Sequence, residues 1–146
     1  MSFRDRTRHI IIFDTNILFE DVENRCDFTQ FRFNKLFRNI IDAIEERDLI
    51  ENIEIMIPSV VWNEMLYQRV EGYKKKKKEI ERLLERFKLP DLEYEFREID
   101  YISHIENSIY IYKEKLKRYS VRVSELELPN NSRFESIIGR AFCKKP

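Results

Sequence analysis

The chain has 146 residues, and its 27 Lys plus Arg are matched by 27 Asp plus Glu. Net charge therefore points to neither nucleic acid nor a membrane surface, and any such partner must be met by a local patch. Only two glycines and four prolines in a chain that is 37% charged argue against a loop-rich or all-β design and for a helix-rich globular one.

In chain order, Ile10 to Phe13 form a short, β-branched, continuously apolar run, the pattern of a strand buried on both faces of a parallel sheet. Residues 14 to 30 are mixed, suited to a short helix or loop. Phe33, Leu36, Phe37, Ile40, Ile41 and Ile44 then recur on one helical face, which predicts an amphipathic helix of about four turns. Ile53, Ile55 and Ile57 alternate and meet Pro58, so a second strand ends there. Ser59 is placed to cap a helix starting near Val60 and running past the lysine run, with a bend expected near Gly72. The later half of that helix puts Ile80, Leu83, Leu84 and Phe87 on one face, and Pro90 lies beyond its end. The segment LEYEFREI reads equally as strand, extended linker or neither. Ile102, Ile105, Ile109, Tyr112, Leu116 and Tyr119 mark another amphipathic helix. VRVSEL reads as a third strand, PNNS as a turn with a cap, and RFESIIGRAFC as a last helix with Phe134, Ile137, Ile138 and Ala141 inward.

Strands alternating with helices predict an α/β domain over residues 1–146, a parallel sheet flanked by helices in a Rossmann-like three-layer arrangement. Cys26 and Cys143 lack metal-ligand spacing and read as reduced thiols; His9 and His104 are isolated, and all four are expected to be structural or surface residues. No secretory signal is visible, and no apolar stretch approaches the roughly 20 residues that span a bilayer. A cytoplasmic protein without a membrane partner is the expectation.

A carboxylate closing a greasy strand is costly to desolvate unless compensated, and Asp14 occupies that position. Ligands of open α/β sheets bind beyond the carboxyl ends of the strands. Glu64 follows the second strand, so parallel neighbours would bring the two carboxylates to one edge. Such a pair repels unless a divalent cation joins it, and Mg²⁺ with a phosphodiester is a natural guest. The plainer alternatives are that Asp14 caps a turn, with Thr15 and Asn16 serving nearby backbone, and that Glu64 is an ordinary first-turn glutamate.

The stretch IIIFDTNIL resembles the opening strand and D-T-N signature of PIN-domain ribonucleases, and IPSVVWNEM resembles their second acidic segment. RFESIIGRAFCKKP is similar to a segment of one PIN-like branch, with Arg140, Ala141 and Pro146 carrying the match. The resemblance implies metal-dependent hydrolysis of RNA, with Asp14 and Glu64 as catalytic and metal-binding carboxylates, Thr15 and Asn16 as orienting residues, and Mg²⁺ or Mn²⁺ as the cofactor. Family members usually add aspartates from later elements. Here only Asp100, Glu106 and Glu125 are available, none in a matching motif. The expectations are therefore a fragment, a naturally shortened protein or a degenerate relative, by itself a weak nuclease or none, and completed by a homodimer or a partner segment. A toxin or phage-defence role with an antitoxin is one biological setting. A non-catalytic PIN-like module that binds RNA or protein is the alternative.

Five consecutive lysines, Lys74, Lys75, Lys76, Lys77 and Lys78, lie near Arg69, Arg82 and Arg86. With Tyr67 and Tyr73 available for stacking, Arg69 and the run are candidates for binding single-stranded RNA. The alternative is a solvated helix face laced with Lys–Glu pairs.

Overall fold

The structure, a computed structural model, describes residues 8–20, 26–91 and 93–127. The expected turn at 129–132 and helix at 133–143 lie outside the described residues. Strand β1 (His9–Ile12) leads to a one-turn helix α1 (Thr15–Leu18), and helix α2 (Lys35–Glu46) precedes strand β2 (Ile53–Pro58). Helix α3 (Ser59–Arg86), helix α4 (Tyr101–Leu116) and strand β3 (Arg122–Leu126) complete the order. The three strands form one parallel sheet in the order β1-β2-β3, with Ile11 opposite Ile55 and Ile55 opposite Val123. This is the α/β, helix-rich architecture that the alternation of elements predicts.

The core explains which face of each element turns inward. Phe13, Ile55 and Ile57 from the sheet meet Phe37, Ile41 and Ile44 of α2, Val61, Trp62 and Met65 of α3, and Ile105, Ile109, Tyr112 and Leu116 of α4. Phe33 is the hub: its ring lies within 6 Å of the rings of Phe31, Phe37, Trp62 and Tyr112, mostly edge to face. Such contacts add to area burial because the ring quadrupoles align favourably. Burial pushes the Tyr112 phenol up to about 12.

Several local expectations are corrected. β1 is not covered on both faces: Ile11 and Phe13 turn inward, whereas Ile10 and Ile12 are 53% and 58% exposed. The period of two settles which residues are buried, and β1 forms an edge of the described sheet. Phe33 precedes its helix, because Asn34 is the N-cap and accepts from the N–H groups of Leu36 and Phe37. Ser59 is the first residue of α3 and not its cap; Pro58 occupies that position without a side-chain bond. α3 continues through Gly72 without interruption. No residue of α3 beyond Gly72 is fully buried; Ile80 and Leu83, and Phe87 just past the end of the helix, are exposed, and Leu84 is half-buried. At 1.5 Å per residue the helix is about 42 Å long, longer than the core it serves. Residues 93–100 form neither helix nor strand.

Because Phe33 fills the junction of four aromatic rings, Phe33→Ala should destabilise the domain by about 3–5 kcal/mol. Urea unfolding checks this. Leu83→Ala, which removes an exposed side chain, should shift the midpoint little.

Candidate functional site

Parallel pairing delivers the carboxyl ends of β1 and β2 to one edge of the sheet. The pairing extends one residue past β1, since the Phe13 N–H donates to the Met56 carbonyl at 3.3 Å. The chain then turns into α1 at Asp14, whose backbone is extended and whose Oδ1 accepts from the Thr15 N–H at 2.7 Å. Thr15 is 2% exposed, and its Oγ1 donates to Oε2 of Glu64 at 2.5 Å. Glu64 is half-buried on α3, and its Oε1 accepts from Nε2 of Gln68 at 3.4 Å, one helical turn further on. Asp14, Thr15 and Glu64 are thus joined in one hydrogen-bonded chain although 49 residues separate its outer link. Asp14 is a helix cap and, at the same time, an exposed carboxylate beside Glu64's partner. The capping reading and the site reading are compatible.

Thr15 orients Glu64 directly. Asn16 is exposed and lies on the wall of a cavity of about 500 Å³ that Gln68 also lines. The tie between the Asp14 turn and the rest of the fold comes instead from Asn34, which sequence reasoning missed. Its Nδ2 donates to the carbonyls of Ile17 and Phe19, and its backbone N–H donates to Leu18. One asparagine therefore closes α1 and opens α2. The signal was available as an asparagine preceding an apolar-periodic run by one or two residues.

Arg69 departs from its expected role. It is 7% exposed, and its guanidinium donates to the carbonyls of Asp27 and Gln30, at 3.3 and 3.0 Å. It lies 3.9 Å from a carboxylate oxygen of Glu20 and 5.7 Å from the Phe31 ring centre. Burial pushes its pKa down from the ordinary arginine value, against the pull of Tyr101, Glu20 and Asp27. This cation holds a loop and is not offered to a phosphate backbone. The same loop is fastened from α4: Tyr101 donates its hydroxyl to Phe28, His104 contacts the Thr29 carbonyl at 2.7 Å, and Ser108 accepts from the Phe31 N–H. His104 is thus structural, as expected.

The lysine run divides around α3. Lys74 pairs with Glu71, Lys76 with Glu79, and Lys77 with Glu81 and Glu98. Much of the run is therefore the solvated, ion-paired face of the alternative reading. Lys75 and Lys78 are exposed, and Lys75 lines the cavity beside Gln68. Tyr73 does not face solvent as a stacking platform; it stacks on Tyr101 at 4.0 Å. Tyr67 is 66% exposed and lines the cavity.

Other acids stay apart from this pair. Asp100 caps α4 by accepting from Ser103, Glu125 pairs with Lys113 at 3.1 Å, and Glu106 is exposed. Among the described residues no group of three or more His, Cys, Asp and Glu side chains could hold a metal. The donor set at the site is two carboxylates, with no imidazole or thiolate. That chemistry fits a hard, largely hydrated divalent ion such as Mg²⁺ or Mn²⁺, which needs one or two carboxylates and takes its other ligands from water and phosphate oxygens. No described helix is long and apolar enough to cross a membrane.

A family model described as PIN domain matches residues 11–146, from within β1 to the last residue of the sequence. No curated protein and no solved structure matches the chain.

Arg69→Met keeps the bulk and removes the donors, leaving buried carbonyls unpaired at a cost of about 1–3 kcal/mol for each. It should lower stability and speed hydrogen exchange of the amides of residues 28 to 31. A fall in RNA affinity with unaltered stability and exchange would restore the nucleic-acid role.

Proposed function

Because the chain belongs to the PIN-domain family, we propose that it is a ribonuclease that hydrolyses phosphodiester bonds of single-stranded RNA with a divalent metal ion. One observation carries this reading: Asp14, just past β1, and Glu64, on the helix that follows the adjacent parallel strand β2, are joined through the buried Thr15, whose backbone N–H donates to Asp14 and whose hydroxyl donates to Glu64. Asp14 and Glu64 are the residues that would hold Mg²⁺ or Mn²⁺. Such an ion, when bound, supplies a Lewis acid for the phosphodiester and a means of activating water. The protein's part is orientation. Thr15 fixes one oxygen of Glu64, Gln68 contacts the other, and both leave lone pairs on the carboxylate for further ligands. Asn34 keeps the turn bearing Asp14 closed against the sheet edge. The exposed Lys75 and Lys78 give salt-sensitive attraction for the backbone of the strand to be cut.

The test is Mn²⁺-dependent cleavage of a single-stranded RNA by the full chain. Asp14→Asn and Glu64→Gln should each reduce the rate roughly a hundredfold or more. Thr15→Val should reduce it by roughly tenfold or more and weaken Mn²⁺ binding, while Thr15→Ser, which keeps the hydroxyl, should restore both. RNA that is bound but never cut would favour a non-catalytic binding module.

A further inference from the structure

The cavity beside the two carboxylates is about 500 Å³, within the size range of pockets that take small organic ligands. Its chemistry is not uniform. Phe19, Phe28, Phe31 and Tyr67 contribute aromatic rings, Asn16 and Gln68 contribute amides, of which Gln68 contacts Glu64, and Lys75 contributes a cation besides the ion-paired Arg32 and Arg69. Phe19 and Tyr67 are exposed despite their apolar surface, and the loop carrying Phe28 is fastened by Arg69 and Tyr101. That part of the wall is thus held in shape before anything enters.

We propose that this cavity is a subsite for one unpaired nucleobase of the RNA, that of a nucleotide adjoining the phosphodiester held at Asp14 and Glu64. This rests on the ribonuclease reading above and adds where the strand lies. A flat aromatic base with a polar edge uses both parts of the lining. An aliphatic ligand would leave the amides of Asn16 and Gln68 facing apolar groups without a bonding partner, which is costly. An isolated phosphate would have no use for the aromatic rings of the lining. Glu20 is itself bound by Arg32 through both oxygens, at 2.8 and 3.0 Å, so that edge of the cavity is a closed ion pair. The sugar–phosphate backbone is then drawn toward Lys75, and the base toward Tyr67 and Phe19. Because every base has a π-face, stacking here accepts any of the four.

The experiment compares two ligands on the full chain carrying Asp14→Asn, chosen to slow cleavage: a short single-stranded RNA containing 2-aminopurine, and an abasic ribose-phosphate oligomer of the same length. The 2-aminopurine emission should be quenched on binding, and the abasic oligomer should bind more weakly. Adding Tyr67→Ala should weaken RNA binding by roughly five- to a hundredfold, the loss expected for one stacked base, and leave the abasic oligomer unaffected. Adding Lys75→Ala instead should weaken both ligands alike and lower the salt slope by about one. RNA binding that is unquenched, or that Tyr67→Ala weakens equally for both ligands, overturns the subsite while leaving the ribonuclease reading intact. Failure of the protein to bind either ligand, with or without Mn²⁺, overturns both.

Discussion

The constraint on which the rest depends is the parallel register of β1 on β2. With His9 opposite Ile53 and Ile12 opposite Met56, both strands must end at the same edge, and both connections must begin there. An antiparallel pairing of the same residues would send Asp14 and Glu64 to opposite ends of the sheet. Parallel neighbours need a crossover between them, and here α2 and its flanking loops supply it. The length of that crossover is what separates Asp14 from Glu64 in sequence while leaving them neighbours in space.

Register alone would leave two flexible carboxylates. What turns proximity into a site is a small number of side-chain bonds made where regular backbone pairing stops. Thr15 is buried, so its hydroxyl must find a partner, and Glu64 is that partner. A charge-assisted bond of this kind is stronger than one between neutral groups and fixes the carboxylate's orientation. Asn34 uses its donors on α1 and its acceptor on α2. Arg69 is the costliest of these groups, because its charge is removed from water. Two carbonyls, a nearby carboxylate and an aromatic face compensate it. In the connection between α1 and α2, this buried cation fastens the segment from Asp27 to Gln30 beside the cavity.

The sequence disclosed those features that depend on neighbours along the chain. An apolar run meeting Asp14, alternating isoleucines meeting Pro58 and helical spacing in α2 and α4 are local patterns, and the strand and helix assignments followed from them. The pairing of Asp14 with Glu64 was legible because strand ends in α/β sheets share an edge. Arg69 was not legible. Its charge placed it with the lysines, and nothing nearby in sequence announces the carbonyls of Asp27 and Gln30 that it meets. Tyr73 was misread for the same reason, since its stacking partner Tyr101 is contributed by another helix. The face of β1 carrying Ile10 and Ile12 shows the converse limit: β-branched residues favour a strand, but do not say how many of its faces are covered.

The second half of α3 makes the same point in helical form. Ile80, Leu83, Leu84 and Phe87 recur at the spacing of one helical face, which normally signals contact with a core. Yet the last buried residue of α3 is Gly72, and the helix continues for more than three turns beyond it. Lys76 with Glu79, and Lys77 with Glu81, are placed three or four residues apart, the spacing that stabilises a helix without tertiary packing. Lys77 also reaches Glu98, which joins this extension to the segment leading into α4. The five-lysine run is therefore a part of how a helix longer than its core remains a helix. Lys75 lines the cavity and Lys78 is exposed, whereas Lys74, Lys76 and Lys77 pair along the helix and serve the helix itself. One stretch of charge divides between two tasks because the period of 3.6 residues points successive lysines in different directions.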